Sequence, residues 1–258
     1  MAYNIKWPVL DKFSMLLINN NRSKAYLQNL FKNDHKPSEA ILLDSGNVLL
    51  PEHTPMDLKL HSCTNQKMIR DCKEASISFD EKENVQITLN QWEIPYKLLS
   101  TLDVNSPQVI QSVRECPGDY IVYSGPGGAI LGQDILSTGK YFLHVHPGWL
   151  PNYLGSTTIY YSMLAGDGVG CSVIVLTEQI DKGPIFHRRR FQPFHNTNLD
   201  YVFDPAIRAA TLIEFFNLNK HKSPSPILIS ERDKEESELF FIIHPVLKHL
   251  SILSLNNE

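Results

Sequence analysis

Apolar runs that alternate with segments of helical period predict an α/β domain with a mostly parallel sheet. Three observations carry this expectation. Residues 14–44 read as strand, turn, helix and strand, the pattern of a βαβ unit. Strand and helix patterns return after residue 106. With 42% hydrophobic and 20% charged residues, the chain also has the composition of a globular protein able to bury a core. At about 150 residues per domain, 258 residues allow one to two domains, and a disordered chain is excluded.

Taken in order, SMLLIN (14–19) is a short, fully apolar run that predicts a buried strand. The polar turn NNNRS follows, then AYLQNLFK, whose Tyr26, Leu27, Leu30 and Phe31 repeat at helical spacing. AILLD (40–44) supplies the next strand. The turn contains no GxGxxG, so a dinucleotide fingerprint is absent and nicotinamide or flavin chemistry is not supported. Residues 45–105 mix polar, charged and aromatic side chains without a sustained period and receive no assignment beyond a solvated turn at DEKEN (80–84). SPQVIQSVREC (106–116) carries a serine at the N-cap and proline at the first helical position. DYIVYSG (119–125) is a strand ending in glycine, and the loop GPGGAILG follows. Next come the strand YFLHV, the helix TTIYYSMLAG, the strand CSVIVLT, the loop EQIDKGP, the strand IFHRRRF and a long helix from about 199 to 219. Beyond 220, the charged run ERDKEESE precedes FFIIHPVLKHLSIL, read as a last strand and helix packing back on the body. The expected organisation is one domain over 1–219 with a strand and helix extension over 220–258.

The charge balance, 24 Lys+Arg against 28 Asp+Glu for a net −4, gives no electrostatic footprint for DNA. No run approaches the ~18 apolar residues of a membrane span, and MAYNIKWPVL lacks the basic end and apolar run of a signal peptide, so a cytoplasmic location is expected. Cys63, Cys72, Cys116 and Cys171 are scattered, with no CxxC pair, and read as reduced thiols.

Ligands of open α/β sheets bind where loops gather at the carboxyl ends of strands. Three loops stand out: GPGGAIL (125–131), HVHPGWLP (144–151) and EQIDKGP (178–184). His144 and His146 sit at i and i+2 on a strand, so both point to one face and Val145 to the other. Asp181 follows CSVIVLT and can reach the same place from a neighbouring strand. A carboxylate beside an imidazole orients the ring and raises its pKa, as a general acid or base near neutral pH requires. Two histidines with an acid can also ligate zinc. No third histidine has supporting spacing, and no metal is expected. HRRR (187–190) reads as a solvated strand packed through Phe186 and Phe191, with a phosphate clamp as the less favoured reading.

The run HVHPGWLPNYLGSTTIYYSMLAGDGVGCSVIVLTEQIDKGPI resembles the core of the 10-formyltetrahydrofolate-dependent formyltransferases, the family of the methionyl-tRNA, glycinamide-ribonucleotide and nucleotide-sugar N-formyltransferases. The matching parts are His146, Leu150, Pro151 and Gly155, then a helix ending in AGD (165–167), a strand, and IDKGPI with Asp181. The resemblance implies a Rossmann-like catalytic domain and 10-formyltetrahydrofolate as formyl donor. It implies His146 and Asp181 as catalytic residues, with His144 where the family has asparagine. In the family that asparagine donates to the formyl oxygen as it becomes an oxyanion, and an imidazole nitrogen can also donate. An amine would attack the formyl carbon, and Asp181 would take its proton and help deliver one to the departing folate nitrogen. The resemblance also places the pterin ring against Gly127, Gly128 and Ile130 and against Thr177, Glu178, Gln179 and Ile180. Trp149, Tyr153 and Gly155 are the expected contacts to the acceptor.

A nucleotide-linked amino sugar, of a surface polysaccharide or pseudaminic-acid-type pathway, is the expected acceptor. The acidic stretch after residue 219 argues against a basic tRNA-binding module. Methionyl-tRNA or another small amine as acceptor, hydrolysis of the folate, and a non-catalytic folate- or nucleotide-binding role are the alternatives. No membrane partner is expected, and a homodimer is allowed.

Overall fold

The computed structural model describes residues 6–44, 71–72, 75–193 and 198–255. Strand β1 (Phe13–Ile18) leads into helix α1 (Asn21–Lys32) and strand β2 (Glu39–Leu43), and the two strands pair in parallel. The helix starts where it does because the Asn20 side chain caps it, accepting from Ser23 N at 2.8 Å. The hairpin of β3 (Asp71–Cys72) and β4 (Ile77–Ser78), helix α2 (Val85–Gln91) and strand β5 (Tyr96–Leu99) occupy the stretch that has no periodic signature. Helix α3 (Pro107–Glu115), strand β6 (Tyr120–Ser124), the single-turn α4 (Gln133–Leu136) and strand β7 (Tyr141–His146) follow. Then come β8 (Tyr153–Gly155), α5 (Thr158–Leu164), β9 (Val169–Val175) and β10 (Ile185–Phe191). A π-helical turn over Leu199–Phe203 opens α6 (Asp204–Asn219), and α7 (Glu231–Glu235), β11 (Glu238–Phe240) and α8 (Pro245–Ser254) close the order.

The main sheet runs β10-β9-β7-β6-β1-β2-β5. The five strands from β7 to β5 are parallel, whereas β9 runs antiparallel to β7 and β10 antiparallel to β9. Continuous apolar strands are what a sheet covered on both faces requires. In β1, Met15 and Leu17 enter one core layer with Tyr26 and Leu30 of α1, Phe203 of the π-helical turn and Phe215 of α6. Leu16 and Ile18 enter the other with Val109, Val113 and Ile135 of α3 and α4. Buried Cys116 and Cys171 are free thiols, while Cys63 lies outside the described residues. Among the described residues no helix is long and apolar enough to cross a membrane.

The last segment is tied to the body. β11 adds in parallel to β8, with Glu238 opposite Tyr153 and Phe240 opposite Gly155, and Ser251 of α8 donates to the Tyr160 carbonyl at 3.0 Å. Two expectations need correction. Ser106 holds the N-cap position of α3, but its buried hydroxyl makes no capping bond, so proline's fixed φ is the start signal that operates there. In FFIIHP only part packs inward: Ile243 is buried and Phe240 lies against Tyr153 and Tyr161, whereas Phe241 and Ile242 are 75% and 82% exposed. His244 caps α8.

Candidate active site

Strand alternation places the two histidines. In β7, Leu143 and Val145 enter the α6 layer, which leaves His144 and His146 on the opposite face, across from Ile174 and Ser172 of β9. Their ring centroids are 6.5 Å apart. Because β9 is antiparallel to β7, it ends beside Leu143 and not beside His146. Asp181 therefore does not come from the strand end expected to lie next to His146. It reaches the histidine through the loop 176–184, which returns towards it. Gly183 makes the return possible, since a Cβ there would lie 1.7 Å from the Val175 carbonyl oxygen.

The contacts around His146 fix its tautomer. Its Nε2 lies 2.7 Å from the carbonyl oxygen of Tyr153, which can only accept, so Nε2 carries a hydrogen. That leaves Nδ1 facing Asp181 Oδ2 at 3.4 Å. The same carboxylate oxygen accepts from Gly155 N at 2.7 Å. Gly155 has φ +90°, and a Cβ on it would meet the Phe240 carbonyl oxygen at 2.1 Å, so β11 presses directly on the residue that holds Asp181. One nitrogen from each of His144 and His146 and one carboxylate oxygen of Asp181 lie within 4.8 Å of one another.

Both rings sit in a setting that disfavours charge. Burial pushes the His144 pKa well below the usual histidine value, and the guanidiniums of Arg208 and Arg22 and the His146 ring push it the same way, while the Tyr123 carbonyl works against them. Burial also lowers His146, with Asp181 and the Tyr153 carbonyl opposing. The two arginines lacked any motif. Arg22, in the first turn of α1, donates Nε to Ser124 Oγ at 3.0 Å and also bonds the Gly125 carbonyl. Arg208 of α6 pairs with Asp204 at 2.8 Å and donates to the Val145 carbonyl at 2.9 Å. The i,i+4 spacing of Asp204 and Arg208 was the one available sequence signal, and it reads equally well as a surface pair. Among the described residues, His144 Nδ1 and the hydroxyls of Tyr123 and Tyr26 are buried without a hydrogen-bond partner.

The other expected site residues fall in three groups. Gly127 and Gly128 are exposed, open space surrounds the position of a Cβ on either, and Ile130 is 62% exposed in a loop that Asn105 pins through Ile130 O and Gly132 N. Thr177, Glu178, Gln179 and Ile180 are exposed on the loop that carries Asp181. Tyr153 is buried, with its carbonyl on His146 and its hydroxyl on Asp167, so its present contacts are internal. Trp149 is sandwiched by charge, with the guanidinium carbons of Arg188 and Arg190 at 4.4 and 4.2 Å from its ring centroid. Within HRRR, His187 and Arg189 turn to Glu214 on α6, so the run divides between the two sheet faces.

The model of the family described as formyl transferase matches residues 62–204, more than half of the chain. The chain belongs to the formyl transferase family. Among curated relatives, a methionyl-tRNA formyltransferase of Wolbachia pipientis is 31% identical over 108 residues, covering 41% of this chain and 36% of the relative. The chain thus aligns with about a third of the length of the curated relatives it matches. Among solved structures, the fold is similar to a phosphoribosylglycinamide formyltransferase from Streptococcus pneumoniae, with TM-score 0.53 and 14% identity over 81% of this chain and 98% of that one. It is also similar to a sugar N-formyltransferase from a Shewanella species, with TM-score 0.53 and 13% identity over 95% of this chain and 87% of that one. The formyl transferase match spans both histidines and Asp181.

Proposed function

We propose that the protein transfers the formyl group of 10-formyltetrahydrofolate to the amine of a nucleotide-linked amino sugar, as a cytoplasmic enzyme. The observation that carries the reading is the meeting of His144, His146 and Asp181 within 4.8 Å in a chain of this family. The amino-sugar acceptor is supported by the reach of the fold. Similarity to the sugar enzyme extends over 95% of the chain, against 81–90% for the glycinamide-ribonucleotide enzymes. Residues 1–219 form the catalytic unit in this reading, and 220–258 complete it through β11.

The donor's flat ring suits the rim. Gly127 and Gly128 have no side chain to block a plate, and the exposed Ile130 and Ile180 offer apolar edges. The bound folate supplies the formyl carbon. His144, kept neutral, donates a ring N–H to the formyl oxygen as negative charge grows there. Asp181, held through Oδ2 by Gly155, takes the proton of the attacking amine as the new C–N bond forms, and returns it to the folate nitrogen as the old one breaks. His146 can act only through Nδ1, because Nε2 is committed to Tyr153, so it accepts a hydrogen bond from Asp181 once the carboxylate has taken the proton.

Single-turnover assays with 10-formyltetrahydrofolate and a panel of amino-sugar nucleotides, methionyl-tRNA and water test this. Tetrahydrofolate release that depends on an amino-sugar nucleotide is expected. Release with methionyl-tRNA alone, or formate production without an acceptor, overturns the acceptor assignment.

A further inference from the structure

We infer that Arg188 and Arg190 of β10 form an anion site that holds the diphosphate of a nucleotide-linked acceptor, an occupant that rests on the proposed function. The strand register aims them. Ile185 pairs with Ile174, but the pairing shifts before His187, so Arg188 lies opposite Ser172 and Arg190 opposite Gly170. An uninterrupted alternation from Ile185 would turn His187 and Arg189 to the face that carries His144 and His146; the bulge turns Arg188 and Arg190 there instead. Ser172 is itself opposite His146, so His146, Ser172 and Arg188 form one row across β7, β9 and β10. At about 4.8 Å between strands, the Arg188 backbone stands roughly 10 Å from that of His146. One sugar ring and the reach of an arginine side chain bridge such a gap.

The two guanidiniums are fixed but not neutralised. Both lie over the Trp149 ring, and Gly170 makes room for the loop that brings this ring in, since a Cβ on it would meet the Trp149 Cβ at 2.9 Å. Arg188 Nη1 donates to the Leu150 carbonyl and Arg190 Nη1 to the Asp167 carbonyl, each at 2.8 Å, so each guanidinium spends one of its five N–H donors on an uncharged partner. Among the described residues no carboxylate forms an ion pair with either. The nearby acids are placed otherwise: the Asp167 carboxylate accepts from the Tyr153 hydroxyl, and Asp233 of α7 acts on Arg188 without pairing with it. Burial lowers the Arg188 pKa, with Asp233 opposing and the Arg190 charge adding to the fall. Two like charges held side by side with spare donors suit an anion that offers oxygens to both, and a diphosphate has one phosphoryl group for each fork.

Anion binding needs neither folate nor a reactive amine, so it is measured apart from transfer. The full chain is titrated calorimetrically with UDP, CDP, GDP and inorganic pyrophosphate at low and high salt. At least one nucleoside diphosphate is expected to bind, more weakly as salt rises. Arg188→Met and Arg190→Met should each weaken that nucleotide by ~10-fold or more, the loss of one charge-assisted contact. Arg114→Gln, on an exposed guanidinium of α3, should leave affinity unchanged. Circular dichroism shows whether each variant folds, and Arg190, being exposed, gives a variant that leaves the core intact. Arginine-dependent nucleotide binding in a chain that transfers no formyl group to any amino sugar would sink the proposed function and keep the anion site. Pyrophosphate bound with every nucleotide excluded, no binding at all, or equal nucleotide affinity in wild type and the folded variants overturns the inference.

Discussion

The depressed pKa of His144 makes stability depend on pH with a definite sign. A histidine whose folded pKa lies below its unfolded value near 6.5 stays neutral in the native state while the unfolded chain takes up a proton. The native state is therefore not penalised above the unfolded pKa, and it loses ground as pH falls through that value towards the folded pKa. Between about pH 7.5 and about pH 5.5, a ring that remains unprotonated in the native state costs about 1.4 kcal/mol of stability, the integral of one proton's difference over that window. Burial and the neighbouring Arg208, Arg22 and His146 hold His144 well below the ordinary value, so the full amount applies to it. Urea denaturation across this range measures the loss. His144→Asn has no proton to gain and should show a pH dependence smaller by about 1.4 kcal/mol. Identical pH profiles for wild type and variant would refute the reasoning, because the ring would then titrate alike in both states.

Three further outcomes follow from named contacts. Asp181→Asn should lower single-turnover transfer by roughly 10²–10⁴-fold, the range for a lost general acid–base group, with little change in the urea midpoint. Gly155→Ala places a Cβ 2.1 Å from the Phe240 carbonyl at φ +90°; the backbone strain alone costs about 1–3 kcal/mol, and the urea midpoint should fall together with activity as Asp181 loses its anchor. Arg208→Met leaves Asp204 without its partner in a largely buried setting and should destabilise by about 3–5 kcal/mol; it should also raise the His144 pKa, read from the imidazole NMR titration.

Much of the fold is legible because its signals are local. The apolar runs of β1 and β2 and the helical spacing of Tyr26, Leu27 and Leu30 require only nearest neighbours to interpret; the structure has both strands within a residue, while α1 starts at Asn21, inside the expected polar turn. The direction of β9 was not legible. Its fully buried VGCSVIV reads the same in a parallel or an antiparallel sheet, and the loop that returns Asp181 depends on that direction. The histidine pair was visible through strand alternation, whereas Arg22 and Arg208 come from helices 186 positions apart and meet only in the folded chain. The carbonyl that sets the His146 tautomer leaves no mark on side-chain chemistry, since any residue at position 153 would offer it.

The pairing of β11 with β8 also sets the order of events during synthesis. Gly155 and Asp181 are translated well before Glu238–Phe240, yet Gly155 is fixed by Phe240 and in turn holds Asp181. At about 5–20 residues per second, some seconds separate the emergence of the two strands from the ribosome. During that interval the main sheet can form while the 147–155 loop is still without its backstop. A nascent chain can thus hold its main sheet before Gly155 is fixed.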